Sequence, residues 1–482
     1  MSLDLSKIKI DKEKVGFFRF KKLEDFYILT NDVAWIHLNE DSFKDFLEGK
    51  LDENSVIYKN LANRGFIKNR FPVNNIIRVY RKKSGFIFKK GTSLHVVVVT
   101  KRCNQACVYC QSGSPELQDP IYDMTEETAK KTVDLIFQSP SPYINIIFQG
   151  GEPLINFKVI KFIISYIKEK KQIINKCIEL GVITNLSLMT DEILEFLINN
   201  NVMIGTSLDG PENVHNKNRP CNILGGSYKK VIYWMEKIKQ YSEKQGKKNG
   251  GALPTLTKYS LEHIEAIVEE YIKLGILSIH FRQLSFLGNS SEKNNKKDFG
   301  YTTEEFISGW KRGMDYIIQK NKQGVFITER MSLTILAKIL TDRNVAYLDS
   351  RSPCGLGIGM LSYFYNGNVN CCEAGRYAED EIFLLGTVND PYEKIMEKGR
   401  MKSFIGASVL DASPCEECAY KPYCGTCPVS NYALRGENFY PNIKLTNNCK
   451  VNEAIIDYLF LKIRDKEVLD IFKSWLQKNK RN

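Results

Sequence analysis

From residue 94 the sequence alternates short apolar runs with amphipathic segments, and that alternation restricts the fold more than any other feature of the chain. Runs suited to strands occupy residues 95–100, 144–149, 179–184, 203–208, 252–256 and 278–284. Helical patterns lie between them at 157–170, 191–200, 228–244 and 261–274. In the first of these, Val159, Ile160, Ile163, Ile164 and Ile167 recur at helical spacing. Six strand–helix units in series imply a parallel sheet with right-handed crossovers. A closed eight-unit barrel would need two further units. The spacing therefore predicts an α/β fold, a partial (β/α)6 TIM-like barrel open on one side. In such folds the chemistry lies at the C-terminal ends of the strands.

The flanks differ in character. Residues 1–90 read as a winged-helix-like α+β unit, with strand-like runs at 17–20, 26–30 and 33–38 and helical patterns at 42–51 and 55–64. The barrel is expected over 91–343, with an exposed Asn/Ser/Lys-rich loop at 288–300. A Gly- and Cys-rich region follows over 344–455, and a basic C-terminal helix over 456–482. No apolar run approaches the ~20 residues that span a bilayer. The first residues lack a charged segment followed by an apolar one, which argues against a cleaved export signal. Thirteen cysteines then suggest a reducing, cytoplasmic setting and thiolate–metal chemistry rather than disulfides. The net charge of +12 favours acidic partners, but no recognised RNA-binding motif accompanies it.

The cysteines fall into sets. Cys103, Cys107 and Cys110 stand together directly after the first strand, where the barrel rule places chemistry. Eight more lie between Cys354 and Cys449, while Cys177 and Cys221 are isolated and read as buried small residues. Thiolates suit iron–sulfur clusters, zinc or copper(I). A cubane cluster takes four thiolates, so a set of three leaves one iron open to a substrate or cofactor. The bland alternative, a zinc knuckle, would need a fourth ligand nearby, and only His95, inside the preceding strand, is close.

Cys103-x3-Cys107-x2-Cys110 after the first strand, with Gly150-Gly151-Glu152-Pro153 after the second, resembles the radical S-adenosylmethionine (SAM) superfamily over roughly residues 94–290. The resemblance implies a [4Fe-4S] cluster on the three cysteines and SAM on its open iron, cleaved by one electron to a 5′-deoxyadenosyl radical. It also implies that Gly150, Gly151, Glu152 and Pro153 hold the methionyl amine and that Tyr109 packs near adenine. Thr184, Asn185, Ser207 and Arg219 would complete the cofactor site, with Asp209 as a catalytic candidate beside it. Each of these polar residues could equally be a loop hydrogen bond or helix cap.

The tail, with Cys354, Cys372, Cys415-x2-Cys418-x5-Cys424-x2-Cys427 and Cys449, resembles the SPASM (twitch-type) extension of radical enzymes that modify peptides. The resemblance implies one or two auxiliary [4Fe-4S] clusters, one on Cys415, Cys418, Cys424 and Cys449 and another on Cys354, Cys372 and Cys427. Cys371 is a further candidate ligand, and Glu373 matches a position that often carries a proton-accepting carboxylate. Two departures stand out: only Gly425 and Thr426 separate the last clustered cysteines, and no second cysteine follows Cys354 closely. The whole chain resembles ribosomal-peptide maturases of the His-Xaa-Ser type. That implies a radical SAM oxidoreductase, a precursor peptide whose leader docks as an added strand, and a flavodoxin- or ferredoxin-type reductant. The product would be a thioether, carbon–carbon or cyclophane cross-link. The alternatives are a sulfatase-type maturase that makes formylglycine and a zinc-stabilised scaffold without catalysis.

Overall fold

The computed structural model describes the chain except residues 1–5, 7, 69, 71–72, 85–90, 114–116, 222–224, 248–249, 286, 288–295, 344–349, 379, 398, 413, 436–445 and 480–482. Most of the loop expected at 288–300 therefore lies outside the described residues; its end forms a short helix, Lys296–Phe299. The strands in chain order are β1 (Arg19–Leu23), β2 (Phe26–Thr30), β3 (Trp35–Asn39), β4 (Leu94–Thr100), β5 (Tyr143–Gly150), β6 (Cys177–Thr184) and β7 (Val202–Ser207). They continue with β8 (Ala252–Leu253), β9 (Ser278–Ile279), β10 (Thr328–Glu329), β11 (Met360–Tyr363), β12 (Asn368–Asn370) and β13 (Leu384–Thr387).

β4 to β8 pair in parallel and in sequence order, and an isolated parallel bridge from Thr255 to Arg282 carries the curve on to the run after β9. This is the expected open six-unit barrel. Its two edges are covered in a way the sequence did not reveal: β11 pairs in parallel with β4, and β10 with β9. The cysteine-rich region thus continues the barrel sheet, in the order β13-β12-β11-β4, instead of forming a separate layer. Covering the edges satisfies backbone groups that an open sheet would leave unpaired.

Strand alternation sets the two faces of the sheet. On β5, Ile144, Ile146 and Phe148 are buried in the main core with the helix Phe157–Ile173, whose buried residues are the five that the spacing picks out. Asn145, Ile147 and Gln149 take the opposite, inner face. Register carries that face across to Leu94, Val96 and Val98 of β4 and to Met360 and Ser362 of β11. Gly181 and Gly205 also line it; a Cβ there would meet Ile147 and Ile183. Glycine at these two positions leaves room for the isoleucine side chains.

The N-terminal unit is a β1-β2-β3 antiparallel meander followed by the helices Glu40–Leu47, Val56–Asn63 and Val73–Ser84. It has its own core around Leu29, Phe43, Phe46, Leu61 and Phe66. It is docked on the tail and, through Trp35, on the helix Arg330–Leu340 of the barrel region. Arg19 binds Glu416 and Asp32, Lys21 binds Glu453 and Asp457, Thr30 donates to the Ala419 carbonyl at 2.7 Å, and the Trp35 indole donates to the Ile339 carbonyl at 2.8 Å. The C-terminus holds two helices, Asn447–Lys462 and Lys466–Lys478; the first carries Cys449. Cys177 is exposed and Cys221 half-buried, which corrects their reading as buried packing residues.

His95 of β4 is fully buried, bonded to the Tyr363 hydroxyl at 2.9 Å and the Thr92 carbonyl at 3.1 Å. Burial pushes its pKa down to about 3. The folded state keeps it neutral while the unfolded chain protonates below pH ~6.5. Its contribution is therefore present above pH ~6.5 and lost as the pH falls toward 3, at up to about 1.4 kcal/mol per unit. Urea unfolding at pH 7 and pH 5 should show His95→Gln with a shallower acid loss than the wild type. Equal slopes would refute this.

Candidate functional site

The three-cysteine loop leaves the C-terminal end of β4 and is clamped from two sides. Gly151 N–H donates to the Thr100 carbonyl at 3.0 Å, and Glu152 N–H to the Arg102 carbonyl at 2.8 Å. From the other side, Ala106 N–H donates to the Pro220 carbonyl at 2.9 Å and Val108 N–H to the Asn218 carbonyl at 3.0 Å. Glycine is required at the first clamp. A Cβ on Gly150 would lie 2.3 Å from the Thr100 oxygen, and one on Gly151 would lie 2.4 Å from that of Arg102. The Gly151→Ala variant should lose about 1–3 kcal/mol of stability through overpacking, read by urea unfolding, and bind less iron. Unchanged iron content and stability would count against the clamp.

The predicted cofactor residues converge on this loop, several of them as braces. Glu152 is fully buried; its carboxylate accepts from Thr184 Oγ1 at 2.6 Å, Asn185 N–H at 2.7 Å and Leu154 N–H at 3.0 Å. Burial raises its pKa to about 7 against these hydrogen bonds. Thr184 is thereby tied to Glu152, and Pro153 starts a buried 3-10 turn. Asn185 Nδ2 points to Cys103 Sγ at 3.9 Å and to Asn104 Oδ1 at 3.0 Å. Ser207, half-buried, ends β7 on the inner face.

Asp209 is a hub. It is fully buried and accepts from the Tyr109 hydroxyl at 2.6 Å, Arg219 Nε at 3.1 Å and Thr255 N–H at 3.1 Å. Arg219 also reaches Cys107 Sγ at 3.7 Å and lies over the Tyr109 ring. Burial disfavours the Arg219 charge, but Asp209, Tyr109 and Cys107 outweigh it and hold its pKa above the ordinary arginine value. Both Asp209 oxygens are occupied by donors, Oδ1 by Thr255 N–H and Oδ2 by Tyr109 and Arg219.

The donor set fits an iron–sulfur cluster. Burial pushes the Cys103 thiol up to about 12 and, despite the nearby Arg219 cation, that of Cys107 to about 11; a bound iron would favour both thiolates. Arg219 and Asn185 supply donors to two of them, and the buried Gln105 Nε2 in the same loop has no acceptor. In the tail, Cys449 lies within the electrostatic reach of Cys424, Cys415 and Cys418, and burial raises its pKa to about 12. These are the four thiols assigned to one set. Cys372 accepts from Gly375 N–H at 3.3 Å and starts the helix Glu373–Tyr377. That helix packs on Pro428–Arg435, which follows Cys427; Cys427 Sγ accepts from Ser430 N–H at 3.5 Å. Cys354 is buried in the same core, and Cys371 Sγ lies 3.9 Å from that of Cys372. Glu373 is part-exposed beside Arg376, 3.8 Å away.

Sequence reasoning missed the backbone clamp at Asn218 and Pro220; the Asn218-Arg219-Pro220 run at the end of a short helix was its signal.

Residues 97–271 match the family model described as the radical SAM superfamily. The uncharacterized protein MJ0907 of Methanocaldococcus jannaschii is 30% identical over 186 residues, 39% of this chain and 60% of that protein. A cysteine-type anaerobic sulfatase-maturating enzyme of Clostridium perfringens is 23% identical over 282 residues, covering 58% of this chain and 70% of the relative. In fold, native anSMEcpe with bound AdoMet superposes with a TM-score of 0.67 at 18% identity, over 80% of this chain and 99% of the other. Streptococcus suis SuiB bound to S-adenosylmethionine superposes with a TM-score of 0.52 at 15% identity, over 90% and 98%. The sulfur loop, its glycine clamp and the family match agree: residues 97–271 are a radical SAM domain, which takes a [4Fe-4S] cluster and SAM, set between an α+β unit and a cysteine-rich tail.

Proposed function

We propose that the chain is a radical SAM peptide maturase acting on a ribosomally made precursor. The observation that carries this reading is the N-terminal sheet seated on the cysteine-rich tail. Among the described residues its outer strands β1 and β3 pair with no further strand, so an extended leader has an edge to join. The core segment of the same peptide would enter the open barrel mouth. Held by Cys103, Cys107 and Cys110 and by the tail thiols, the clusters and SAM would supply the one-electron chemistry for hydrogen abstraction. The chain's residues do the rest. The 100–110 and 150–152 loops fix the site, Asp209 holds Tyr109 and Arg219, and Glu373 accepts the substrate proton. The product is a thioether or carbon–carbon cross-link, two hydrogens lighter than the precursor: one leaves as the abstracted atom, one as the proton to Glu373, and the remaining electron would pass to a tail cluster. SuiB has been solved bound to its precursor peptide SuiA, which supports a peptide in this fold. A cytoplasmic setting and a flavodoxin- or ferredoxin-type electron donor belong to the same reading.

The test incubates anaerobically reconstituted enzyme, SAM, reductant and the precursor from neighbouring short reading frames, in H2O and D2O. A cross-link appears as the loss of two hydrogens; an epimerisation appears as deuterium uptake. Unchanged mass in both solvents, or zinc in place of iron in the purified protein, would overturn the proposal. The sulfatase-maturase relative favours a second reading, formylglycine formation. It predicts turnover of a Cys-x-Pro-x-Arg peptide.

A further inference from the structure

Arg376 stands out at the barrel mouth as a buried cation short of acceptors. It sits on the helix Glu373–Tyr377, is 6% exposed, and reaches across to β5, where its Nη2 donates to Gln149 Oε1 at 3.2 Å. The same nitrogen contacts the Tyr377 hydroxyl and lies 3.8 Å from Glu373. Its Nε and Nη1 are buried and have no acceptor. An unmade hydrogen bond at a buried donor costs about 1–3 kcal/mol, more when the group is charged. Three N–H donors without acceptors on one cation are therefore an outlay the fold sustains only for something that visits.

The position says what that is. Gln149 lies on the inner face, one residue before the glycine clamp. Register puts Met360 on that face too, and Met360 Sδ accepts from Glu373 N–H at 3.4 Å. Two further polar atoms on the inner face, Asn145 Oδ1 and Ser362 Oγ, are also buried without partners. Arg282, in the run after β9, acts electrostatically on Tyr377 from across the mouth. A buried guanidinium short of acceptors is best completed by a carboxylate, which accepts charge-assisted hydrogen bonds.

We infer that Arg376 is a substrate-positioning residue whose Nε and Nη1 bind a carboxylate of the entering peptide, an Asp or Glu side chain near the residue that is modified. This rests on the maturase reading and adds a sequence preference to it. A carboxylate could also come from the methionyl end of SAM, and the test separates the two.

Reconstituted holoenzyme with SAM is used to select from a randomised peptide-display library. Wild type should enrich Asp or Glu at one position by about tenfold, the ratio one charge-assisted hydrogen bond yields. R376Q should lose that enrichment, R376K should keep part of it, and R376E should turn the preference toward Lys or Arg, which a purely structural role would not do. SAM affinity is measured by equilibrium dialysis on the same variants. Retained peptides with no acidic preference in the wild type would overturn the inference while leaving the maturase reading intact. An acidic preference that survives in R376Q would also overturn it; weakened SAM binding alongside would assign Arg376 to the methionyl carboxylate. If wild type retains no peptide at all, both readings fall.

Discussion

Cys107→Ala should abolish reductive cleavage of SAM. The 5′-deoxyadenosine formed under dithionite is expected to fall by far more than the about 10–100-fold that follows loss of a group behind a metal ligand. The reason is structural as well as chemical. Cys107 lies between the two backbone clamps at Ala106 and Val108, and its sulfur receives Arg219. Iron should fall by one cluster and not to zero, because the tail sulfurs are held by separate elements. Cys177→Ala is the matched control: this thiol is exposed at the start of β6, the end of the barrel opposite the cysteine loop. Normal 5′-deoxyadenosine yield from Cys107→Ala would remove the basis for the assignment.

Asp209→Ala should be the most damaging change away from the sulfurs. It strands the buried Arg219 and frees the Tyr109 hydroxyl, both of which bind Asp209. Breaking a buried pair by removing one partner costs about 3–5 kcal/mol. Urea unfolding of the anaerobic protein reads this directly, and SAM affinity should drop with it because Tyr109 and Arg219 lose their common anchor. A stability change within about 0.5 kcal/mol, the range of an ordinary surface substitution, would show that the hub is dispensable.

The features legible in the sequence are those with local signatures. The helix at 157–173 announced itself by five spaced apolar residues, and the cysteine and glycine loops by their place after consecutive strands. Long-range pairing was not legible. Nothing in Met360–Tyr363 says that it will lie beside Leu94, because four residues of strand fix no partner until the rest of the sheet exists. The same applies to Arg376 and Gln149, 227 positions apart. Asp209 illustrates a subtler shortfall. The resemblance makes it a catalytic candidate, and the donors that converge on it from Tyr109, Arg219 and Thr255, on three other segments, have no local signature.

The first strand of the N-terminal meander grips the tail at two places. Arg19 meets Glu416, between Cys415 and Cys418, and Lys21 meets Glu453 and Asp457 on the helix that carries Cys449. The N-terminal unit is thus not an interchangeable adaptor. A chimera that imports a foreign one must bring matching partners for these acids, or the frame around an entire thiol quartet is left without its outer brace.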